Sequence, residues 1–513
     1  MATAISTIKF PELLFGFVAA IGVDLKPTIA AFRQYLEGEN YDVIEIKATD
    51  AFNFLKNVVK PKKTLVSSPL KDRYVTHIAY GNQLRAYFDD DSVLAALTVG
   101  QVVRRRPSKT KRPDKETFSK TAYLLHQYKR REEVDLLRSV YGRLFFQVSV
   151  YSRRGARVDY LSRKFAESRN SAEANLYRAD AENLVQQDED EVEVAHGQRV
   201  GRIFHDADFI VNSDINTPNV NDQVKRFGEL IFNSNCISPT KFEYGMFLAK
   251  AAALRTLDLS RQVGAAIFSQ AGEIISLGSN EVPKALGGTY WSDDQFDDRE
   301  YVRGYDSNDK RKQEILKGII EAIVPPANRE AVMKRKGVID SQFMDALEYG
   351  RIVHAEMSAI SDAARNGHAI RDSVLYSTTF PCHMCAKHIV ASGISKVVFL
   401  EPYPKSLASD LHSDSIEIES SDRGQYSKFP AVRFEHFFGV TPRRYRELFE
   451  RSKRKSATGE FQNYKDGVKR PFIDLKAPFY YALEQFVMGA AYEGLTKKLA
   501  SRAAKKSKFK KKK

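Results

Sequence analysis

The chain has 513 residues, 43% of them hydrophobic, which is enough for about two to four domains with cores of their own. Three cysteines exclude a disulfide scaffold and suit a reducing compartment. The formal net charge of +15 includes a basic cluster in residues 501–513. No apolar run approaches the roughly 20 residues of a membrane-spanning helix, and the start lacks signal-peptide features, so we expect a soluble cytoplasmic protein without membrane contact.

A first α/β domain is predicted over residues 10–235. It begins with a strand at 12–20, a helix at 26–36 and a strand at 41–47. Helices and short strands then alternate as far as residue 212. This alternation favours a layered domain with a parallel sheet.

The loop after the first strand is where a phosphate-binding loop would lie. Counted from Gly16, the P-loop pattern requires Gly, Lys and Ser or Thr at positions 21–23, where the chain has Ile-Gly-Val. The signature lysine and the magnesium-binding hydroxyl are therefore missing. Two interpretations stay open, a plain strand–turn–helix or a degenerate nucleotide site in which Lys26 substitutes. The candidate nucleotide-binding residues are Gly16, Gly22, Asp24 and Lys26.

A second domain is predicted over residues 239–450, after a turn-forming cluster at 233–239. The predicted elements are, in order, a helix at 239–258, strands at 263–269 and 273–278, a helix from His354, a strand at 373–380, a helix from Cys382, and strands at 394–400 and 431–438. This order indicates a three-layer α/β/α sandwich with a mixed sheet. Residues 284–348 form an insertion, which is either functional or disordered.

Two short motifs in this domain carry chemistry. His354-Ala-Glu356 and Pro381-Cys-His-Met-Cys385 together match the H-x-E…P-C-x-x-C signature of zinc deaminases. One His and two thiolates, His354, Cys382 and Cys385, fill three positions of a tetrahedral Zn²⁺ site and leave the fourth for water. Glu356 then remains to move protons between water and a cytosine or adenine ring.

Each motif alone has a simpler explanation, because H-x-E occurs by chance and C-x-x-C can be redox-active or structural. Two of the three cysteines, however, fall in this C-x-x-C, downstream of an H-x-E that opens a helix. We therefore predict a catalytic zinc site. The third cysteine, Cys236, is expected to pack as a small buried residue.

The C-terminal part is predicted to contain a helix capped by Thr441 and a helical extension over 451–500. Residues 501–513 are predicted to form a disordered basic tail with eight basic residues. A weak contact with nucleic acid is the functional alternative for this tail.

The second domain resembles the deoxycytidylate deaminase family. The matching stretches are Leu259–Ile267, Gly278–Asn280, His354–Glu356 and Pro381–Cys385. The resemblance implies that Asn280 binds the nucleotide sugar and that the backbone of Ala355 holds the pyrimidine edge.

Residues 12–460 as a whole are similar to the bacterial anti-phage deoxycytidylate deaminases, which join a degenerate P-loop, kinase-like domain to the deaminase. The matching stretches are Gly16–Leu25, Gly81–Arg85, Leu136–Gly142 and Asn280–Trp291. The resemblance implies conversion of dCTP and dCMP to dUTP and dUMP, which depletes a DNA precursor during phage infection. It also implies a homo-oligomer and regulation by the N-terminal domain.

Other functions remain open. The basic tail favours an editor of cytidine or adenosine in RNA or single-stranded DNA. A non-catalytic nucleotide sensor with a structural zinc is the third hypothesis, although such a site needs no acid–base partner like Glu356. In the insertion, Tyr290 and Trp291 are either nucleotide contacts or parts of a packed loop. The sequence leaves the preference between dCTP and dCMP open.

Overall fold

Two separate β-sheets organise the protein. Its structure is a computed structural model that describes residues 7–107, 117–189, 199–214, 218–403, 406–419, 421–451 and 453–510. The chain forms two compact units, one of residues 1–238 with 438–513 and one of residues 239–437. The boundary at 239 agrees with the predicted start of the second domain.

In the first unit a parallel sheet has strand order β5-β4-β1-β3-β2. Its strands are β1 (Leu13–Ala19), β2 (Asp42–Lys47), β3 (Thr121–His126), β4 (Phe145–Tyr151) and β5 (Phe209–Asn212). The central strand β1 is buried along its whole length, as expected for an apolar strand covered on both faces. Helical crossovers join the strands, so the predicted layered α/β domain with a parallel sheet is confirmed, while its kinase-like character stays a prediction.

The helices of this part of the chain are α1 (Lys26–Gly38), α2 (Phe52–Leu55), α3 (Leu70–Phe88), α4 (Val93–Arg105), α5 (Arg131–Tyr141), α6 (Arg154–Glu167), α7 (Arg178–Glu189), α8 (Val200–Ile203) and α9 (Val220–Ile231). The helix predicted at residues 26–36 is present as α1, which ends at Gly38. Pro27 lies in the first turn of α1, where its missing N–H has no partner to lose.

The second unit contains a mixed sheet of order β10-β11-β9-β8-β6-β7. Strand β6 is antiparallel to both of its neighbours, and the other pairs are parallel. The elements are α10 (Lys241–Ala253), β6 (Gly264–Phe268), β7 (Ile274–Ser279), α11 (Glu300–Arg303), α12 (Ser307–Ile323), α13 (Arg329–Met333), α14 (Lys336–Ile339), α15 (Ala355–Arg365), β8 (Val374–Thr379), α16 (His383–Ala391), β9 (Lys396–Glu401), α17 (Ala408–Leu411), β10 (Ile416–Ile418) and β11 (Val432–His436).

Helices cover both faces of this sheet. On β8, Leu375 belongs to the core cluster formed with α15 and α16, whereas Tyr376 contacts Gly245 of α10. Because neighbouring residues on a strand point to opposite faces, α10 lies on one face and α15 and α16 on the other. The predicted three-layer α/β/α sandwich is therefore confirmed. Helices α11 to α14 occupy the insertion at 284–348.

The C-terminal segment returns to the first unit. Its elements are β12 (Gly439–Val440), α18 (Tyr445–Phe449) and α19 (Tyr480–Lys510), and β12 pairs antiparallel with β5. The compact second unit thus ends at Phe437, before the predicted end at residue 450. The helix predicted from Thr441 begins only at Tyr445, because the Thr441 hydroxyl donates to Ala207 O at 2.6 Å and holds the chain beside β5.

The predicted disordered tail from residue 501 is instead helical as far as Lys510. Residues 500–510 contain no glycine or proline, and alanine, lysine and arginine have high helix propensity. Residues 511–513 lie outside the described part. Within the described residues, no helix combines the length and the apolar character that crossing a membrane requires.

Candidate active site

Helix α15 carries the first motif at its N-terminus. His354 is the N-cap in an extended conformation, and Glu356 follows in the first turn. A Cβ on Gly278 of β7 would lie 2.1 Å from Ala355 O and 2.5 Å from Ala359 N, so only glycine permits this approach of helix to strand. The close packing of Gly278 against the alanine face of α15 therefore determines how near His354 and Glu356 lie to the sheet.

Helix α16 carries the second motif in the same way. Cys382 is its N-cap, Cys385 lies one turn later, and both are buried. Ser406 Oγ donates to Pro381 O at 2.8 Å and fixes the entry into the helix. The free N–H groups and the dipole of a helix N-terminus favour thiolate over thiol.

The three predicted metal ligands meet at these two helix ends. His354 Nδ1 lies 3.3 Å from both Cys382 Sγ and Cys385 Sγ, and the three ligand atoms lie within 4.8 Å of one another. Zn–N and Zn–S bonds of about 2.0 and 2.3 Å in a tetrahedron place neighbouring ligand atoms about 3.6 Å apart. The donor set and its spacing therefore fit Zn²⁺.

The pKa values of the two thiols shift in opposite directions. A hydrogen bond from Cys385, with help from His354, lowers the pKa of Cys382, whereas the same hydrogen bond and burial raise the pKa of Cys385. The hydrogen bond to Cys382 also raises the pKa of His354. This arrangement stabilises a thiolate beside an imidazole, which is the chemistry of a soft divalent metal site.

Glu356 lies beside the ligands without being one of them. It is 4% exposed, its Oε1 lies 3.1 Å from Ser377 Oγ, and its Oε2 accepts from Cys385 Sγ at 3.3 Å. Burial raises the pKa of its carboxyl group. A buried carboxyl group with a raised pKa is suited to accept a proton and return it near neutral pH.

Asn280 follows β7 and is 4% exposed. Its Oδ1 accepts from Val263 N at 2.7 Å, and its Nδ2 donates to Asp258 Oδ2 at 2.5 Å and to Arg261 O at 2.8 Å. Both amide hydrogens thus fix the 258–263 loop, and one lone pair of Oδ1 remains for a ligand hydroxyl. The predicted contact with a sugar stays a prediction.

One cavity of about 350 Å³ joins these residues. His354, Ala355, Glu356, Cys382 and Asn280 line it, and Cys385 is fully buried. The insertion contributes a wall that includes Glu300, Asp306, Asn308, Asp309 and Lys312. The volume is in the range of sites that bind small molecules.

Comparison with known proteins agrees with this geometry. A family model described as cytidine and deoxycytidylate deaminase zinc-binding region matches residues 239–401. A deoxycytidylate deaminase of Enterobacteria phage T2 is 36% identical over 149 residues, which cover 29% of this chain and 72% of the relative. The chain belongs to the cytidine and deoxycytidylate deaminase family.

Two further comparisons have lower identity. A deoxycytidylate deaminase of Pongo abelii is 28% identical over 175 residues, or 34% of this chain and 68% of the relative. A solved dCMP deaminase of the cyanophage S-TIM5, in complex with dCMP and dUMP, shares 18% identity over 39% of this chain and 99% of that chain, with a TM-score of 0.23. So low a score supports no argument, and the fold assignment rests on the sheet topology given above.

As a member of this family the chain is a deaminase of the hydrolase class, and its cofactor is zinc. His354, Cys382 and Cys385 are the residues that would hold the ion. Within the described residues, theirs is the one group of at least three His, Cys, Asp or Glu side chains whose ligand atoms lie close enough together to hold a metal ion. Glu356 stands outside the donor set, as an acid–base residue must.

The insertion is attached to the cavity by ion pairs, of which the pair between Arg299 and Glu281 is buried. Arg299, 2% exposed, contacts Glu281 at 3.6 Å and binds the Asp297 carboxylate with two nitrogens. Arg351 donates to Asp298 O and Oδ2, both at 3.0 Å. These pairs hold the insertion as a wall of the cavity.

Neither Tyr290 nor Trp291 lines this cavity. The Arg255 guanidinium instead lies 3.5 Å from the centre of the Trp291 ring and donates to Tyr290 O at 3.0 Å. The Trp291 side chain is also 51% exposed, so the nucleotide contact and the packed loop both stay predictions.

The candidate nucleotide-binding residues of the first unit lie around the β1–α1 loop. Gly16 lies within β1, where a Cβ would meet the Phe145 ring at 2.5 Å, and Gly22 has a φ of +89°. Asp24 Oδ1 accepts from Lys26 N at 3.1 Å, and the Lys26 side chain is exposed. Their binding of a nucleotide stays a prediction.

The same loop contacts an internal carboxylate, that of Asp188, which the sequence had instead assigned to an acidic surface turn at residues 188–191. Ile21 N donates to Asp188 Oδ2 at 2.5 Å, and Lys129 Nζ contacts both Asp188 oxygens at 2.8 and 3.1 Å. Asp188 is 1% exposed. In the described conformation the Asp188 carboxylate therefore accepts a hydrogen bond from a loop N–H group that would otherwise be available to a phosphate.

In the second unit, sequence reasoning missed Ser377, although a serine within a buried strand was an available signal. The expectation for Cys236 was wrong, since this residue is exposed. Cys236 lies in the turn at 233–238, and its Sγ contacts Asn235 Oδ1 at 3.4 Å.

Proposed function

We propose that the chain catalyses the hydrolytic deamination of deoxycytidine nucleotides. The observation that carries this proposal is the buried carboxylate of Glu356 beside the His354, Cys382 and Cys385 group, in a cavity of about 350 Å³. The names of the phage and mammalian relatives support deoxycytidylate as a substrate.

The chain's own residues move the protons. When bound, zinc lowers the pKa of water to about 7 and so supplies hydroxide at neutral pH. Glu356 accepts the proton of the water that adds to C4 of the ring and delivers it to N3. It then takes the proton of the hydroxyl group formed on C4 and transfers it to the amino group, which leaves as ammonia as the C4 carbonyl forms, so that dCMP and water give dUMP and ammonia.

Other residues orient the substrate. The backbone of Ala355 contacts the pyrimidine edge, and Asn280 uses its remaining Oδ1 lone pair for the sugar hydroxyl. Both residues line the cavity with Glu356. Nucleotides with one or three phosphates, dCMP and dCTP, are the two candidate substrates.

A substrate panel with purified protein tests this function. Ammonia release is measured with dCTP, dCMP, CTP, CMP, deoxycytidine and a cytosine-bearing oligonucleotide, and bound zinc is measured alongside. We expect turnover of dCMP or dCTP that Glu356→Gln abolishes. The matched control is Glu330→Gln, because the Glu330 side chain is 83% exposed on the insertion and outside the cavity lining.

The same panel tests the alternatives. Turnover of the oligonucleotide alone would replace the proposal with single-strand editing, which the basic end of α19 favours. Bound zinc without turnover of any substrate, including in extract of infected cells, would favour a nucleotide sensor.

We also propose a biological role in antiviral defence, in which the deaminase depletes deoxycytidine nucleotides during phage infection and the N-terminal domain regulates it. The resemblance to anti-phage deaminases supports this role. Plaque counts and dCTP concentrations in infected bacteria test it, with Glu356→Gln as the inactive control. Equal plaque numbers with the active and inactive proteins would contradict it. A cytoplasmic location, homo-oligomerisation and weak nucleic-acid contact remain predictions.

A further inference from the structure

The cavity must accept a nucleotide whose phosphate is strongly negative, although many carboxylates line it. Besides Glu356, the acidic lining residues are Asp258, Glu300, Asp306, Asp309 and Asp345. Among the described residues, the cationic side chains of the lining are Arg261, Lys312 and Arg351. Which of these three side chains is able to bind a ligand depends on the hydrogen bonds and ion pairs that it already makes within the protein.

Lys312 and Arg351 are held by the insertion. Lys312 Nζ donates to Met344 O at 2.7 Å and pairs with Asp309 at 2.8 Å, with its side chain 6% exposed. Arg351 binds Asp298 through two nitrogens and lies 3.7 Å from Glu300. Their charges are therefore already balanced by carboxylates of the insertion.

Arg261 is held differently. Its backbone is fixed, because Arg261 O accepts from Asn280 Nδ2 at 2.8 Å, but its side chain is 47% exposed. Among the described residues, the guanidinium has one ion-pair contact, at 3.5 Å with Glu401, and it lies 5.3 Å from the centre of the Tyr403 ring. An exposed ion pair of this length contributes little, so a stronger acceptor can replace Glu401.

A phosphate is such an acceptor. The guanidinium offers a planar fork of donors that matches two phosphate oxygens, and a charge-assisted pair of this kind is stronger than a neutral hydrogen bond. Ser260, the preceding residue, is exposed and lines the same cavity. Its backbone is also fixed, because Ser260 N donates to Asp258 Oδ1 at 2.8 Å.

We infer that Arg261, together with the hydroxyl group of Ser260, binds the phosphate of the nucleotide substrate, an inference that rests on the proposed function. Arg261 is then the residue by which the enzyme distinguishes a nucleotide from a nucleoside. Its half-exposed position leaves room for more than one phosphate, so dCMP and dCTP share this contact.

Calorimetric titration with dCMP and with deoxycytidine separates the phosphate contact from those of base and sugar. Glu356→Gln serves as the background, so that neither ligand is consumed. In that background Arg261→Gln is expected to raise the Kd of dCMP about 10- to 100-fold, whereas the Kd of deoxycytidine changes by less than about twofold. Arg261→Lys is expected to give an intermediate loss for dCMP, because lysine keeps the charge but lacks the fork.

The matched control is Arg371→Gln, which removes the same charge from a side chain that is 88% exposed and outside the cavity lining. It is expected to leave both Kd values unchanged. An unchanged Kd of dCMP in Arg261→Gln would overturn the inference. An equal loss for both ligands would also overturn it, because that result indicates a structural role.

The same titrations distinguish this inference from the proposed function. If dCMP binds through Arg261 but the protein with Glu356 intact releases no ammonia from it, the phosphate contact stands and the proposed function fails. If the background protein binds dCMP no more tightly than deoxycytidine, the phosphate contact is overturned, even where deamination is observed.

Discussion

Ser377 brings a hydroxyl group to the buried carboxylate of Glu356. Its Oγ lies 3.1 Å from Glu356 Oε1 and 2.7 Å from Thr379 O, and the residue is fully buried. This contact limits the positions that the carboxylate can take. Ser377 is thus a positioning residue, since it acts through Glu356.

We expect Ser377→Ala to lower kcat for dCMP about tenfold while KM changes by less than about twofold, because the carboxylate loses a hydrogen bond that orients it. Steady-state kinetics measure both parameters. Ser392→Ala is the control, since the Ser392 hydroxyl donates to Ile389 O at 2.9 Å and Ser392 does not line the cavity. An unchanged kcat in Ser377→Ala would exclude the positioning role.

Zinc binding and proton transfer are separable at the level of single residues. We expect one zinc ion per chain in the parent protein and in Glu356→Gln, but a loss of zinc in Cys385→Ser, because a neutral hydroxyl replaces a thiolate ligand. Atomic absorption on purified protein measures the metal, and chelation followed by added zinc is expected to remove and restore activity. Zinc loss in Glu356→Gln would instead make Glu356 a ligand.

The residue types of the zinc site were predictable because their chemistry requires a fixed spacing in the sequence. His354, Glu356, Cys382 and Cys385 therefore appear as two motifs. Ser377 and Arg261 were not predicted, because their importance depends on contacts between elements that are far apart in the chain. Ser377, for example, meets Glu356 across 21 residues and from a different element.

At the scale of elements, the approach of α15 to β7 determines where the first motif lies. We expect Gly278→Ala to lower the free energy of unfolding by about 1–3 kcal/mol, since the new Cβ would lie 2.1 Å from the backbone oxygen of Ala355 and push the helix away. Zinc affinity should fall in parallel, because His354 moves with the helix. Urea denaturation and metal titration measure the two effects.

Gly318→Ala is the matched control for this change. Gly318 lies within α12, and a Cβ there would meet nothing within 4 Å. Its replacement should stabilise the helix by about 0.5–1 kcal/mol. Equal stability of the Gly278→Ala variant and the parent protein would contradict this prediction, because it would show that α15 can move away from β7 without a loss in the free energy of unfolding.

The order of helices and strands was predictable because each depends on local periodicity. One error falls where a long-range contact overrides the local signal. Thr441 and Pro442 resemble a helix start, but the Thr441 hydroxyl is bound to Ala207 O, and Arg444 donates to Phe145 O at 2.8 Å. The chain therefore adds β12 to the sheet before a helix begins.

At the scale of the whole molecule, the return of residues 438–513 to the first unit was not predictable. The contacts that attach this segment join residues more than 200 positions apart, such as Thr441 with Ala207 and Glu484 with Arg106. Composition and periodicity carry no information about such pairs. The boundary at 239, in contrast, was marked by turn-forming residues in the sequence.

The docking of α19 depends on a buried arginine that bridges two carboxylates. Arg106 binds Glu12 at 2.8 and 3.0 Å and Glu484 at 2.7 and 2.9 Å, and both carboxylates are fully buried. Tyr480 OH also donates to Glu12 Oε2 at 2.6 Å. The cluster therefore connects the start of β1, the end of α4 and the start of α19.

We expect Arg106→Gln to lower the free energy of unfolding by about 3–5 kcal/mol, because two buried carboxylates then face each other without a cation. The adjacent control Arg105→Gln should cost only about 0–1 kcal/mol, since Arg105 is 34% exposed and pairs with Asp50 at the surface. Calorimetry measures the loss, and limited proteolysis reports whether α19 is released. Equal losses in the two variants would contradict a special role for Arg106.

The same variant has a predicted pH dependence. Burial raises the pKa of Glu484 and the contact with Arg106 opposes this effect, so removal of the arginine should raise that pKa further. The folded state of the variant then binds more protons than the unfolded state. The variant is therefore more stable at low pH, and it loses this stability as the pH rises through the pKa that Glu484 has in the folded state. The deficit of Arg106→Gln relative to the parent protein should therefore shrink as the pH falls from neutral toward acid, as unfolding measured across that range would show. A deficit that stays constant or grows toward low pH would mean that the two carboxylates do not interact in the folded protein.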